Sequence, residues 1–130
     1  MTILVAYVPR PEGQSALEKG IELAKERHED LIVVNATPGG AGDDPARADA
    51  QDVERVEQLI SVCGVKAEFK QFVRGKNAVE EIEDMVGTHN VSILVIGLRK
   101  RTAVGKLIMG SMAQEILMSI SCPILAVKAG

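Results

Sequence analysis

Ile93-Leu94-Val95-Ile96 is an unbroken aliphatic run with no polar residue to turn toward water. A strand with one wet face alternates, so a run of this kind fits a parallel sheet covered by helices on both faces. Gly97 is expected to end the strand, and a loop carrying Arg99, Lys100, Arg101 and Lys106 follows. Gly110-Ser111 then opens a helix, with Ser111 and Gln114 spaced as a capping box that satisfies free backbone N–H groups. Met112, Ile116, Leu117 and Ile120 recur at helical spacing on one face. Cys122-Pro123 leads into a last aliphatic strand, Ile124-Leu125-Ala126-Val127. A cationic loop running into a helix start is physically an anion site, because unpaired N–H groups and the helix dipole point the same way.

The rest of the chain repeats the alternation of strand and helix. Thr2 to Val8 reads as a first buried strand, ended by Pro9 and Pro11, with Gly13 in the connecting loop. Ser15 and Glu18 fit a capping box for a helix whose inner face holds Leu17, Ile21 and Ala24. Gly20 implies close packing of that helix on the sheet, and His28 complements the dipole at its end. Leu31 to Ala36 is a second buried strand, followed by a glycine-rich linker at residues 37 to 43, flexible enough to fold over a ligand. Asp44-Pro45 is a helix start, Val53, Val56, Ile60 and Cys63 the inner face, and Gly64 the stop. The acids of that helix (Asp49, Asp52, Glu54, Glu57) read as a solvated face. Val65 to Val73 alternates, which suits an edge strand, and Asn77 caps a helix with Val79, Ile82, Met85 and Val86 inward. His89 falls in the turn that follows, as a surface residue. The sum, β-α-β-α-β-α-β-α-β, specifies one doubly wound α/β domain over residues 1 to 130 but not its strand order.

Charge narrows the partners. The net charge is −3, so the surface as a whole offers nothing to nucleic acid, and with 2% aromatic residues and no Trp there are no stacking platforms for single strands. Between Asp84 and Glu115 there is no acid, yet four Lys or Arg occur there, a local patch suited to a small anion. Cys63 and Cys122 have no metal-ligand spacing and read as buried hydrophobes. No basic leader precedes the first apolar run and no run approaches membrane-spanning length, so a cytoplasmic protein is expected.

Catalytic signatures are missing. The first strand is not followed by G-x-G-x-x-G, and Val104-Gly105-Lys106 lacks the glycine and hydroxyl of a phosphate-cradling loop, at Lys100 and Leu107. No Asp precedes Asp30, against the acidic pocket of a receiver domain, and there is no nucleophile elbow or metal cluster. Nothing demands an enzyme; slow ATP hydrolysis is the most this chain is expected to perform, and no catalytic or metal residue is assigned.

The loop between the fourth strand and fourth helix resembles that of the universal stress protein family, whose pattern there is G-x2-G-x9-G-[ST]. Gly97, Gly110 and Ser111 match, Lys100 replaces the second glycine, and Arg101-Thr102 and Cys122-Pro123 also agree. The resemblance implies a five-stranded parallel sheet in order 3-2-1-4-5, the adenine nucleotide alpha hydrolase-like arrangement, with its switch point between strands one and four. It implies a stress-response regulator binding ATP or AMP, with Mg as a possible companion. The nucleotide contacts carry over by position to Ala6, Tyr7, Val8, Ala36, Ile96, Gly97, Lys100, Gly110, Ser111, Met112 and Ala113. Two departures bear on this. Val8 stands where the family has Asp, removing a polar contact to the nucleoside. Lys100 stands where backbone would approach phosphate, although its ammonium is itself a phosphate partner. The alternative is a family member that binds no nucleotide and serves as a protein-interaction module.

Ile124 to Val127 has no charge, proline or bulge to protect a sheet edge. Such an edge invites a second chain, and the resemblance implies a homodimer paired through it, beside an unidentified regulatory protein partner.

Overall fold

The computed structural model describes residues 1–37, 48–73, 78–100, 107–108 and 111–129. Its elements run β1 (Thr2–Ala6), α1 (Pro11–Arg27), β2 (Asp30–Thr37), α2 (Ala50–Ser61), β3 (Ala67–Val73), α3 (Ala78–Thr88), β4 (Val91–Lys100), β5 (Leu107–Ile108), α4 (Ser111–Ser119) and β6 (Ile124–Lys128). β3, β2, β1, β4 and β6 lie side by side in that order and all pair parallel. This is the expected 3-2-1-4-5 winding, β6 being the fifth parallel strand. β5 is an addition: two residues that pair antiparallel with Arg99 and Lys100 at the far end of β4.

The helices cover the sheet as the continuous apolar runs require. Ile3, Val5, Leu31, Val33 and Val95 point to the face covered by α1 and α2, where they meet Leu17, Ala24, Val56 and Ile60. Leu4, Ile32, Val34, Leu94 and Ile96 point to the other face and meet Ile82 and Met85 of α3, Ile116 of α4 and Ile120 just beyond it. Gly20 is small for the reason expected, since a β-carbon there would stand 2.2 Å from Val5 Cγ2. Cys63 packs on the first face and Cys122 on the second, so the sheet separates the two thiols.

Four local expectations need correction. α1 starts at Pro11, not at a Ser15 capping box; Arg10 is the cap residue and makes no side-chain cap bond. Proline fixes the helical φ and lacks an N–H that would otherwise go unpaired, so it starts a helix without a cap. Gly13 is therefore in the first turn of α1 rather than in a loop. Gly97 does not end β4: it pairs with Val127, and the ladder continues through Leu98, whose carbonyl accepts the Ala129 N–H at 3.2 Å. Leu117 lies off the buried stripe of α4 and is 41% exposed, while Ile116 is fully buried.

α2 begins after Asp49, whose side chain accepts the Asp52 N–H at 2.9 Å while Asp52 accepts the Asp49 N–H at 3.0 Å. The Asp44-Pro45 start, the linker from 38 to 43 and the Asn77 cap lie outside the described residues. His28 ends α1 in the left-handed conformation at φ 53°, and Gly64 follows α2 at φ 83°. His89 closes α3, its Nδ1 lying 3.2 Å from the Met85 carbonyl oxygen.

Candidate functional site

Parallel pairing brings the carboxyl ends of β1, β2 and β4 to one edge of the sheet. Ala6 pairs with Val34 and Val5 with Val95, and the Tyr7 N–H extends the ladder to the Val34 carbonyl at 2.8 Å. This edge collects the first group of expected ligand contacts, but the pleat divides them. Ala6, Ala36 and Ile96 turn toward α3 and α4, where Met112 and Ala113 pack on the same cluster. Tyr7 turns to the opposite face. Its main chain alone stays with the others, and a side-chain role on the α4 side is closed to it.

On the α1 side the gap between β1 and β4 is filled by backbone. A β-carbon at Gly97 would stand 2.0 Å from the Glu12 carbonyl oxygen, and one at Gly13 would stand 1.8 Å from the Val8 oxygen. Val8 is half-buried beyond the end of β1, and its carbonyl accepts the Arg10 N–H at 2.8 Å. The α3–α4 side instead carries two alanines, Ala6 and Ala36, at the strand ends. α4 starts at Ser111 with no acidic residue in its first turn, where the positive end of the helix dipole lies. Lys100 is the last residue of β4. The side chains of Lys100 and Ser111, and the whole of Gly110, Arg101, Thr102 and Lys106, lie outside the described residues. The hydroxyl cap expected of Ser111 is thus outside them too.

A buried polar network ties this edge together. Asn35 is fully buried in β2; its Nδ2 donates to the Tyr7 carbonyl at 3.0 Å, and its Oδ1 accepts the Ala48 N–H at 2.9 Å. Gln71 of β3 donates through Nε2 to Asn35 Oδ1 at 3.0 Å and to the Ala48 carbonyl at 2.8 Å. One amide side chain therefore fixes the ends of β1 and β3 and the approach to α2. No local pattern signals it, because its partners stand 13, 28 and 36 residues away.

A second feature escaped the sequence as well. On the α1–α2 face a cavity of about 380 Å³ opens where the start of α1 meets α2, with Tyr7 and Arg10 at one side and Asp52 and Arg55 at the other. Asp52 is not on a freely solvated face. Its side chain is 14% exposed and holds Arg55 Nη2 at 2.7 Å. Among the described residues no group of three or more His, Cys, Asp or Glu side chains is placed to hold a metal ion. No described helix is long and apolar enough to cross a membrane.

A parallel sheet wound outward from β1 and β4, with a helix start beside that switch point, defines a doubly wound α/β protein, a class in which ligands sit outside the carboxyl ends of the strands. The profile of the universal stress protein family matches residues 1–128, and the chain belongs to that family. It is 43% identical over 126 residues to a universal stress protein of Mycolicibacterium smegmatis, covering 97% of this chain and 96% of that one. Among solved structures, the universal stress protein from Archaeoglobus fulgidus superposes with a TM-score of 0.79 at 26% identity, over 98% of this chain and 97% of that one. The Archaeoglobus fulgidus protein in complex with dAMP gives 0.73 at 22% identity, over 98% and 96% of the two chains. An Arabidopsis thaliana family protein with AMP bound gives 0.65 at 15% identity, over 100% and 93%.

Proposed function

We propose that this chain is a stress-response regulator that binds an adenine nucleotide at the carboxyl edge of β1, β2 and β4 and acts as a homodimer. The reading rests on one observation: Ala6, Ala36 and Ile96 share a cluster with Met112 and Ala113 at the start of α4, in a family whose relatives have been solved with dAMP and AMP. Phosphate would lie at the positive end of α4, with Lys100, Gly110 and Ser111 as its expected contacts, and the nucleoside toward Ala6, Val8 and Ala36. No carboxylate occurs between Asp84 and Glu115, so magnesium would arrive on the phosphates of ATP rather than on protein ligands.

The test is direct. Purified protein is acid-extracted, released nucleotides are resolved by chromatography, and AMP and MgATP are titrated calorimetrically into the stripped protein. An adenine nucleotide in the extract, or saturable heat from either ligand, supports the reading. Absence of both rejects it.

A second reading, an interaction module without nucleotide, draws on Val8. A valine beyond β1 offers the nucleoside no polar group, and the α1 face of the β1–β4 gap is already filled by the Glu12 backbone. The same titrations decide between the two.

A further inference from the structure

Leu117 and Met118 stand side by side on α4, 41% and 88% exposed, while Ile116 beside them is fully buried. Successive helix residues are about 100° apart, so Leu117 lies on a flank of α4 and Met118 points away from the sheet. The hand of the winding settles which flank. α4 joins the parallel strands β4 and β6, and in a right-handed crossover the residue after the inward Ile116 turns toward the outer edge of the sheet, with α3 on the other side. Glu115, the one charged residue of α4, falls on the α3 side. Along the outer edge, on the same face of β6, are Ile124, half-buried in the α3–α4 cluster, and Ala126, exposed. The strip from Leu117 to Ala126 is therefore apolar and open to solvent.

β6 offers five residues to a partner, whereas a stable interface engages about 20–30 residues a side. Pairing of this edge with its own copy needs further surface, and the α4 flank adjoins it. Pairing about a two-fold axis is antiparallel and keeps both copies of α4 on one face of the joined sheet. A crossover helix rides about half a strand spacing inside the edge, and strands pair about 4.8 Å apart, so the two α4 axes come to about 10 Å, the distance at which helices pack. An uncharged flank suits a second copy in particular, since across a two-fold axis a charge would face its like.

We propose that a second copy of this chain docks on the α4 flank as well as on β6. The two α4 helices pack antiparallel across the two-fold axis, with Leu117 of each in the contact, and roof one face of the joined sheet. The inference rests on the homodimer reading and adds a second element to its interface. The helix that starts at the expected phosphate position would then carry the subunit contact near its other end.

The test is sedimentation equilibrium of the full chain and its variants. Leu117→Asp and Leu117→Lys each bring like charges together and should weaken the dimer at least about tenfold, with the parent's circular dichroism. Met118→Asp, on the outward face, should leave association unchanged. An equimolar mixture of the Leu117→Asp and Leu117→Lys variants should associate more tightly than either alone, which damage to the fold could not produce. A Leu117→Asp variant as dimeric as the parent overturns the proposal and leaves a dimer through β6 standing. So does equal weakening by Met118→Asp, or a mixture no tighter than its components. A monomeric parent overturns the proposal and the homodimer reading together.

Discussion

Gly97 of β4 and Glu12 of α1 touch backbone to backbone, so closely that a β-carbon on Gly97 would stand 2.0 Å from the Glu12 carbonyl oxygen. The obstacle is main chain in the first turn of a helix, which cannot swing aside as a side chain can. Gly97→Ala should therefore push α1 off β4 and lower stability by about 1–3 kcal/mol, the cost of overpacking a filled interior. Gly87→Ala is the matched control, since Gly87 is an exposed helical residue with nothing within 4 Å of an added β-carbon. It should gain about 0.5–1 kcal/mol. Urea unfolding of the two variants beside the parent checks both signs.

Asn35 meets two buried main-chain groups, the Tyr7 carbonyl and the Ala48 N–H, and accepts besides from Gln71, whose amide also holds the Ala48 carbonyl. Asn35→Ala leaves the Tyr7 carbonyl and the Ala48 N–H without this partner. The expected loss is about 2–4 kcal/mol, above that of an ordinary polar truncation. Denaturant unfolding measures it. Amide exchange should show the end of β1 and the start of α2 loosening together, since one side chain holds both.

Why the fold was largely legible and the site only partly so follows from which residues carry each. Runs such as Ile93 to Ile96 and Leu31 to Ala36 state their environment locally, because nothing but a sheet covered on both faces accepts them. Ser15 and Glu18 have capping-box spacing and Pro11 reads as a strand breaker, so local pattern points to a later start of α1 than the structure has. A proline also starts helices, and the contact of Gly13 with Val8 that locks the turn is a feature of packing. Gly97 reads as a strand end because glycine weakens a strand interior; here its missing side chain admits α1. The Asn35 network and the cavity beside Tyr7 join residues from β1, β2, β3, α1 and α2. Their identities become meaningful only once the register is known.

Asp49 titrates in a way that ties α2 to pH. The Asp52 backbone N–H that it accepts holds its carboxyl below the ordinary aspartate range, with burial opposing and the Asp52 side chain and Arg55 assisting. A depressed folded pKa means the contribution is complete above the unfolded value and is lost as pH falls through the lower folded value. Thermal unfolding followed across the acid range should show this limb in the parent. Asp49→Asn keeps an acceptor for the cap but cannot titrate, so its melting temperature should fall less steeply with acid. An unchanged slope would remove Asp49 from the acid response.

Val8→Asp tests the nucleotide reading by adding what the chain lacks. Position 8 lies beyond β1 and is half-buried, and the family resemblance implies an aspartate there. A carboxylate there could accept from the nucleoside, and a charged hydrogen bond is worth about 1.5–3 kcal/mol. AMP should bind about tenfold or more tightly by calorimetry, while binding of inorganic pyrophosphate, which lacks the nucleoside, stays the same. Equal tightening of both would mean a general change in the site rather than a restored contact.

β6 tests the homodimer. The Pro123 carbonyl accepts the Leu94 N–H at 2.9 Å, and the Ala129 N–H donates to the Leu98 carbonyl at 3.2 Å. Residues of that parity in the strand face β4, so Ile124, Ala126 and Lys128 direct their N–H groups outward from the sheet. Ala126 is exposed, and its N–H is one that a second chain would use to extend the ladder. Ala126→Pro deletes that donor and sets a ring in the path of a partner strand, yet costs no bond to β4. The variant should sediment as a monomer with the parent's circular dichroism, where the parent sediments as a dimer. A parent that is already monomeric, or a proline variant that stays dimeric, would move the interface away from this edge.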